Sequence, residues 1–191
     1  MKTTFCDLQL ETAPGRVFTP RPTTEALVNA ALDRIDGVPV RIADVGTGSG
    51  AIAVALAVNR PQVEIWATDT NEEAVELARA NAERLGVADR VHVLRGNLLD
   101  PLPEPVDLVV ANLPYLPASQ RDHRYDDEPD DAVYAPGDGL GPYRRLLDAC
   151  REGKLETGGA VLLQYRGEPY EADCWQLEGS AGRTRSRGLD S

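Results

Sequence analysis

The chain has 191 residues, 42% of them hydrophobic and 27% charged, which suffices for one well-buried domain and is too few for two of ordinary size. Its net charge of −11 argues against a nucleic-acid partner, because phosphate contacts from Lys and Arg supply much of the affinity for polyanions. It shows no signal segment, and its longest apolar run, residues 51–58, is far shorter than a membrane span. The three scattered cysteines predict reduced thiols in the cytoplasm and no metal site.

The first part of the chain carries little local signal, and residues 1–15 are predicted to form an N-terminal extension. In the segment that follows, VFTPRPTTEALV, two prolines favour an extended backbone, and Thr23 or Thr24 can cap a helix. Apolar residues then recur at helical spacing, so we expect a helix on the edge of a sheet. Taken alone, Arg21 and Glu25 are typical of ordinary surface charges.

A strand, a glycine-rich turn and the start of a helix follow one another in the sequence RIADVGTGSGA. Gly46, Gly48 and Gly50 let the backbone approach a ligand where a Cβ would clash, and a helix N-terminus offers unpaired N–H groups. Asp44 adds an acceptor for a ligand amine or hydroxyl. The pattern predicts a nucleotide-like ligand. A tight structural turn stays open, as does a dinucleotide site, because Ala51 completes that spacing as well.

A second strand, residues 63–69, ends in an acid that follows the glycines by roughly 20 residues. In βαβ folds a carboxylate at this position binds ribose hydroxyls, so Asp69 is a candidate ligand residue, with a simple helix cap as the alternative. Thr70 and Glu73 have the spacing of a capping box that starts a helix, and Gly86 is expected to end that helix.

Two further strands complete the pattern of a buried parallel sheet. Residues 91–97 form the third strand, and Asn97 lies at its carboxyl end, where its amide could recognise an adenine edge. His92 alternates with apolar neighbours and is predicted to be a strand histidine rather than a catalyst. The fourth strand, residues 106–111, is largely apolar, as expected of a sheet covered on both faces.

The sequence NLPY follows the fourth strand directly. Pro114 keeps Leu113 extended, so the Leu113 carbonyl and the Asn112 side chain can point into the same space, with Tyr115 as a flat wall. Two acceptors beside an aromatic face suit a planar NH2 group. A proline-punctuated structural loop is the alternative.

The rest of the chain carries weaker signals. Residues 118–139 form a polar loop rich in acids, and composition favours a solvated surface over a substrate-facing flap. A helix over residues 143–152 and a fifth strand over residues 158–165 follow. The last segment, residues 167–191, leaves no room for a normal crossover helix before residues 174–189, which could form a hairpin.

Together, the glycine turn, Asp69 and NLPY resemble class I S-adenosylmethionine-dependent methyltransferases. More narrowly, they are similar to the HemK/PrmC family, the protein-(glutamine-N5) methyltransferases that act on peptide-chain release factors. The similarity covers residues 16–166 and includes TPRPTTEALV, DVGTGSGAIAVALA, VDLVVANLPYLP and EPDDAVYAPGDGLGPYRRLL. The resemblance implies a Rossmann-like, doubly wound, mostly parallel α/β sheet, flanked by the extension of residues 1–15 and by a shortened segment, residues 167–191, with truncation expected at the C-terminal strands.

Carried over residue by residue, the resemblance implies a cofactor site and a substrate site. The residues expected to bind S-adenosylmethionine are Asp44, Gly46, Thr47, Gly48, Gly50, Asp69, Asn97, Leu98 and Asn112. The residues expected to be catalytic are Asn112, Leu113, Pro114 and Tyr115, with the first two accepting the hydrogens of a glutamine amide. The residues expected to contact the substrate are Arg21, Glu25 and Tyr115. Neither a base nor a metal is expected, because displacement from a sulfonium needs neither.

Four features depart from the family pattern. Leu113 replaces the first proline of NPPY, Asn97 stands where an acid is common, the family's N-terminal helical domain is expected to be missing, and the C-terminus is shortened. NLPY also occurs in rRNA adenine dimethyltransferases, so adenine N6 methylation of RNA or DNA stays an alternative. So does a weakly catalytic, cofactor-binding interaction module, whereas hydride transfer leaves NLPY unexplained.

The leading interpretation is therefore a cytoplasmic methyltransferase that acts on a glutamine amide of a protein, with a release factor as the expected substrate. Nucleic acid and membrane are not expected as partners. A sheet face left bare by the short C-terminal segment would favour a homodimer.

Overall fold

The computed structural model describes residues 1–35 and 40–165 in full and the backbone of residues 168–172. Its strands are β1 (Lys2–Phe5), β2 (Leu8–Glu11), β3 (Val40–Val45), β4 (Val63–Asp69), β5 (Val91–Arg95), β6 (Val106–Ala111), β7 (Leu116–Pro117), β8 (Tyr134–Ala135), β9 (Leu155–Tyr165) and β10 (Glu168–Ala172). Its α-helices are α1 (Glu25–Leu32), α2 (Ala51–Asn59), α3 (Glu72–Arg84), α4 (Asp130–Val133) and α5 (Gly141–Ala149). Short 3₁₀ helices cover Pro22–Thr24 and His123–Tyr125, and a π-helical turn covers Cys150–Lys154.

Six of the described strands form one sheet in the order β10-β9-β6-β3-β4-β5. β10 runs antiparallel to β9, and every other neighbouring pair in this sheet is parallel. The chain moves outward from β3 through β4 to β5 and then returns to the other side of β3 as β6. Such a reversal of strand order opens a crevice at the carboxyl ends of the strands. The predicted mostly parallel, doubly wound α/β fold is confirmed.

Apolar side chains cover both faces of this sheet. Ile42 and Ile65 point into a core that also contains residues of α1, α2, α3 and the β1–β2 hairpin. Their chain neighbours Ala43 and Trp66 belong to a second core, formed with α5 and with residues 98–102. Full burial of one large aliphatic side chain stabilises by about 1.5–3 kcal/mol, so the two cores together hold the strand ends in fixed positions.

The N-terminal residues form a hairpin that the sequence did not predict. Cys6 and Asp7 adopt positive φ angles of 47° and 60°, which make the tight turn between β1 and β2. Asn81 on α3 ties the hairpin down, because its Oδ1 accepts from the Glu11 N–H at 2.8 Å and its Nδ2 donates to the Glu11 carbonyl at 3.0 Å. The extension predicted for residues 1–15 is therefore packed against the domain.

Local predictions around the second βα unit are largely confirmed, with one correction. The predicted capping box at Thr70 is wrong by one residue, because the side chain of Asn71 is the N-cap and accepts from the Glu73 N–H at 2.9 Å. Gly86 follows the helix with a φ of 70°, as expected of a C-terminal glycine. His92 is a strand histidine as predicted, with its Nε2 3.1 Å from a carboxylate oxygen of Glu64.

At the other end of the sheet, β10 pairs directly with β9, with Glu168 opposite Tyr165. No crossover helix lies between these two described strands, as predicted. The hairpin predicted at residues 174–189 lies outside the described residues. Within the described part of the chain, no helix is both long enough and apolar enough to cross a lipid bilayer.

Candidate functional site

The glycine turn after β3 is held against the end of the neighbouring strand. The N–H groups of Gly46 and Thr47 both donate to the Thr68 carbonyl at 2.9 Å. Gly46 has a φ of 71°, and a Cβ at this position would lie 2.7 Å from Cδ2 of Leu113. The positive φ favours glycine here, and the Leu113 side chain occupies the space that a Cβ would need.

Asp44 supports this turn from behind. Its side chain is fully buried, and its Oδ2 accepts from the Thr47 hydroxyl at 2.6 Å and from the Ala53 N–H at 3.1 Å. Its Oδ1 has no hydrogen-bond partner among the described residues. The pKa of Asp44 is raised to about 6, chiefly by burial and to a smaller extent by the carboxylate of Asp69, while the two hydrogen bonds oppose the rise. Asp44 thus joins the turn to the first residues of α2.

Asp69 holds the same turn from the end of β4. Its Oδ2 accepts from the Gly48 N–H at 2.9 Å, and its Oδ1 accepts from the Asn71 N–H at 2.9 Å. Burial raises the pKa of Asp69, while these backbone hydrogen bonds lower it. Each carboxylate oxygen carries a second lone pair, so the side chain can still accept from a ligand hydroxyl.

A cavity of about 240 Å³, here called the glycine-loop cavity, lies at the carboxyl ends of β3, β4, β5 and β6. The predicted cofactor residues that line it are Gly46, Thr47, Gly48, Asp69, Asn97, Leu98 and Asn112. Asp44 and Gly50, also predicted, stand behind this wall, and Gly50 packs closely against Ala78. The structure therefore gathers most of the predicted cofactor residues around one cavity.

A second cavity of about 640 Å³, here called the outer cavity, lies on the other side of the NLPY segment. The outer cavity, but not the glycine-loop cavity, is lined by Arg21, Tyr115 and Gln164. Asn112, Leu113 and Pro114 line both cavities and form a wall between them. Groups held in one cavity can thus meet groups held in the other at this segment.

The side chain of Asn112 is oriented by a residue from the first helical turn. Its Nδ2 donates to the Thr24 hydroxyl at 3.4 Å. The amide oxygen of Asn112 is therefore the atom that can accept a hydrogen bond from a ligand. Thr24 is buried and lines both cavities. The sequence predicted Thr24 only as a possible helix cap. Its side chain makes no capping hydrogen bond and contacts Asn112 instead.

Arg21 fastens the proline-rich segment to the acidic loop. Its Nη2 lies 2.8 Å from Oε1 of Glu128, and its guanidinium lies 5.6 Å from the ring centre of Phe18 and 5.4 Å from that of Tyr125. Glu128 is 4% exposed at its side chain, and its Oε2 accepts from the Thr19 N–H at 2.9 Å. Arg21 therefore forms part of the outer-cavity wall, and its positive charge is paired with Glu128.

The acidic loop is mostly the solvated surface that its composition favoured, since Asp126, Asp127 and Asp130 are exposed, but it contains one buried acid. Glu128 is buried, and Pro129, Asp131 and Ala132 line the glycine-loop cavity. Composition could not show the burial of Glu128, because that burial depends on Arg21, which lies more than one hundred residues earlier in the chain.

Glu25 was predicted to contact the substrate, but it lies away from Arg21 and Tyr115 in the outer cavity. Its carboxylate accepts from the Cys6 N–H at 2.9 Å at the turn of the β1–β2 hairpin, and it lines neither cavity.

The burial of Glu128 gives a stability prediction with a control in the same loop. Glu128→Gln is expected to lower the free energy of unfolding by about 1–3 kcal/mol, because it leaves Arg21 without its charged partner. Asp130→Asn removes the partner of Arg121, but both of those side chains are more than half exposed, so we expect a loss under about 0.5 kcal/mol. Urea denaturation of both variants checks this, and equal losses would contradict the structural difference between the pairs.

Asp44 predicts a pH dependence of stability. Its pKa in the folded protein, about 6, lies above the ordinary value, so the folded state binds the extra proton more tightly than the unfolded chain does. The contribution of this group to the free energy of unfolding should therefore rise by up to about 3 kcal/mol as the pH falls from about 6 to about 4. Asp44→Asn should remove that part of the slope in urea denaturation. An unchanged slope would show that Asp44 does not titrate in this range.

The family comparison matches residues 21–126 to the methyltransferase small domain family. The chain is 43% identical over 169 residues to the release factor glutamine methyltransferase of Gloeobacter violaceus, across 83% of this chain and 57% of that protein. It is 37% identical over 174 residues to the protein of the same name from Escherichia coli K12, across 88% of this chain and 61% of that protein. The chain thus spans less than two thirds of the length of these relatives.

Among solved structures, the fold is similar to ribosomal protein L11 methylase from Lactobacillus delbrueckii subsp. bulgaricus. The TM-score is 0.56 at 25% sequence identity, and the aligned part covers 78% of this chain and 63% of that one.

Proposed function

The chain belongs to the methyltransferase small domain family, and on that premise we propose that it is an S-adenosylmethionine-dependent N-methyltransferase of a protein glutamine side chain. We propose a peptide-chain release factor as the substrate, in keeping with the names of the relatives at 43% and 37% identity. The observation that carries the proposal is that Asn112, Leu113 and Pro114 line both cavities. A donor of methyl in one cavity and an acceptor amide in the other would meet at these residues.

The residues of the glycine-loop cavity fit S-adenosylmethionine. A Cβ at Gly48 would have no neighbour closer than 3.9 Å, so the turn leaves open space on its ligand side. Asp69 can accept from ribose hydroxyls through its remaining lone pairs, and Asn97 and Leu98 would face the adenine at the end of β5. Asp44 would support this site indirectly by holding the turn. When bound, S-adenosylmethionine supplies a methyl group whose carbon–sulfur bond breaks as the carbon–nitrogen bond forms.

The NLPY segment supplies what the acceptor needs. A glutamine amide nitrogen is a poor nucleophile because its lone pair is delocalised, so its orientation matters more than general-base strength. The Asn112 side-chain oxygen and the Leu113 carbonyl would accept the two amide hydrogens and aim the face of the nitrogen at the glycine-loop cavity. Both acceptors would also stabilise the positive charge that develops on nitrogen before one of its protons passes to water. Tyr115 would pack against the flat amide in the outer cavity.

The remaining assignments are also proposals. We take residues 16–166 as the catalytic unit, with the cytoplasm as its location and the outer cavity as the place where a protein segment enters. The homodimer predicted from the sequence is also a proposal, and light scattering of a dilute solution tests it. Twice the chain mass would support the dimer, and a monomer would contradict it.

The test of the proposed function is transfer of labelled methyl from S-adenosylmethionine into a bacterial lysate, followed by digestion with protease or nuclease. Protease-sensitive label is expected, and the same reaction with Asn112→Ala should give almost none. Nuclease-sensitive label would contradict the amide proposal and favour adenine N6 methylation. Cofactor binding by calorimetry without any label would favour the interaction module.

A further inference from the structure

Tyr143 places its hydroxyl where three backbone groups of the candidate site meet. The residue lies on α5, is 6% exposed and belongs to the core on the second face of the sheet. The Leu113 N–H donates to its hydroxyl oxygen at 3.2 Å, and the same oxygen lies 3.2 Å from the Leu113 carbonyl. The hydroxyl also lies 2.5 Å from the carbonyl of Gln164 on β9.

A hydroxyl has one proton, so Tyr143 can donate to only one of these two carbonyls at a time. The shortest contact, to Gln164, is the one that takes the proton, while the oxygen lone pairs accept from the Leu113 N–H. The Leu113 carbonyl then keeps its acceptor capacity for another donor. Burial raises the pKa of Tyr143 well above its ordinary value, so the proton stays on the hydroxyl at every pH of interest.

The position of this contact matters because the NLPY segment begins where sheet pairing stops. β6 ends at Ala111, and Pro114 has no N–H to donate. Among the described residues, the hydrogen bond to Tyr143 is the one that fixes the Leu113 N–H. Through Gln164 it ties the segment to β9, the neighbouring strand of the central sheet.

We propose that Tyr143 is a positioning residue for methyl transfer: it touches neither substrate nor cofactor, and it fixes the backbone of Leu113, whose carbonyl would meet the acceptor amide. The inference rests on the proposed function and deepens it, because it names the group that sets the geometry of one of the two amide acceptors. Oriented acceptors of this kind lose effectiveness with small displacements, so loosening the Leu113 backbone is expected to slow the chemical step.

The first test compares Tyr143→Phe with wild type on a purified bacterial release factor. We expect single-turnover transfer to fall by about 10-fold or more, while the dissociation constant of S-adenosylmethionine stays within about two-fold. Val87→Ala, in the core on the opposite face, is the control for a general loss of stability. An unchanged rate in folded Tyr143→Phe would overturn the inference. An equal fall in rate in Val87→Ala at matched stability would overturn it too.

The second test needs no substrate and separates this inference from the proposed function. Amide hydrogen exchange at Leu113, followed by NMR in the ligand-free protein, is expected to be about 10-fold or more faster in Tyr143→Phe than in wild type. Unchanged exchange would show that Tyr143 does not hold the segment and would overturn the inference. If wild type transfers no methyl to the release factor, the proposed function fails, and the exchange result still decides whether Tyr143 fixes Leu113.

Discussion

Replacing Asn112 by alanine is expected to slow methyl transfer by about 100-fold or more, while the affinity for S-adenosylmethionine changes by less than about two-fold. The Asn112 amide nitrogen is engaged by the Thr24 hydroxyl at 3.4 Å, so its oxygen is the end that can accept from the acceptor amide. That contact gains strength as charge develops on the nitrogen, and its loss therefore acts on the transition state. Single-turnover transfer and calorimetry measure the two quantities separately.

Asn97→Ala is the matched comparison. Asn97 lines the glycine-loop cavity but not the outer cavity, so its truncation should weaken cofactor binding and leave the single-turnover rate at saturating cofactor close to that of wild type. If Asn112→Ala loses cofactor affinity as severely as it loses transfer, Asn112 is a cofactor or structural residue, and the assignment of the NLPY segment to the acceptor amide is wrong.

The second large effect is expected at the glycine turn. Gly46→Ala should weaken S-adenosylmethionine binding by about 10-fold or more, because a Cβ at this position lies 2.7 Å from Leu113 Cδ2 and forces the Leu113 side chain, in the wall shared by the two cavities, to move. The positive φ of 71° adds strain of about 1–2 kcal/mol for a non-glycine residue. Calorimetry gives the change in affinity, and thermal unfolding gives the strain.

Gly86→Ala separates these two causes. Gly86 has a nearly identical φ of 70°, but a Cβ there would have no atom within 4 Å. Both variants should therefore lose similar stability to backbone strain, while only Gly46→Ala loses cofactor affinity. Equal affinities in the two variants would mean that the contact between the glycine turn and Leu113 does not shape the cofactor site.

The sequence was sufficient to predict those features whose residues are neighbours along the chain. Around Gly46, one short stretch contains the alternation of a strand, the glycines of a turn and the periodicity of a helix. The next strand, which ends in Asp69, is likewise followed directly by a helix. Parallel strands bring their carboxyl ends to one edge, so the sequence could also place Asn97 and Asn112 near these residues. The family resemblance inferred from these motifs is confirmed by the comparisons.

The features that sequence could not predict depend on contacts between distant segments. Thr24 and Asn112 are 88 residues apart, and Arg21 and Glu128 are 107 apart, so no local pattern signals either pair. The hairpin turn at Cys6 lacks the Asn-Gly or Asp-Gly pair that marks such turns, and the Cys6 N–H donates to Glu25, 19 residues later.

Tandem mass spectrometry of a purified bacterial release factor, after incubation with this protein and S-adenosylmethionine, tests directly whether a glutamine amide is the methyl acceptor. We expect one added methyl group, located on the side-chain nitrogen of a single glutamine and absent when Asn112→Ala replaces wild type. A methyl group on any other residue type, or equal methylation by Asn112→Ala, would contradict the claim that the NLPY segment presents a glutamine amide for transfer.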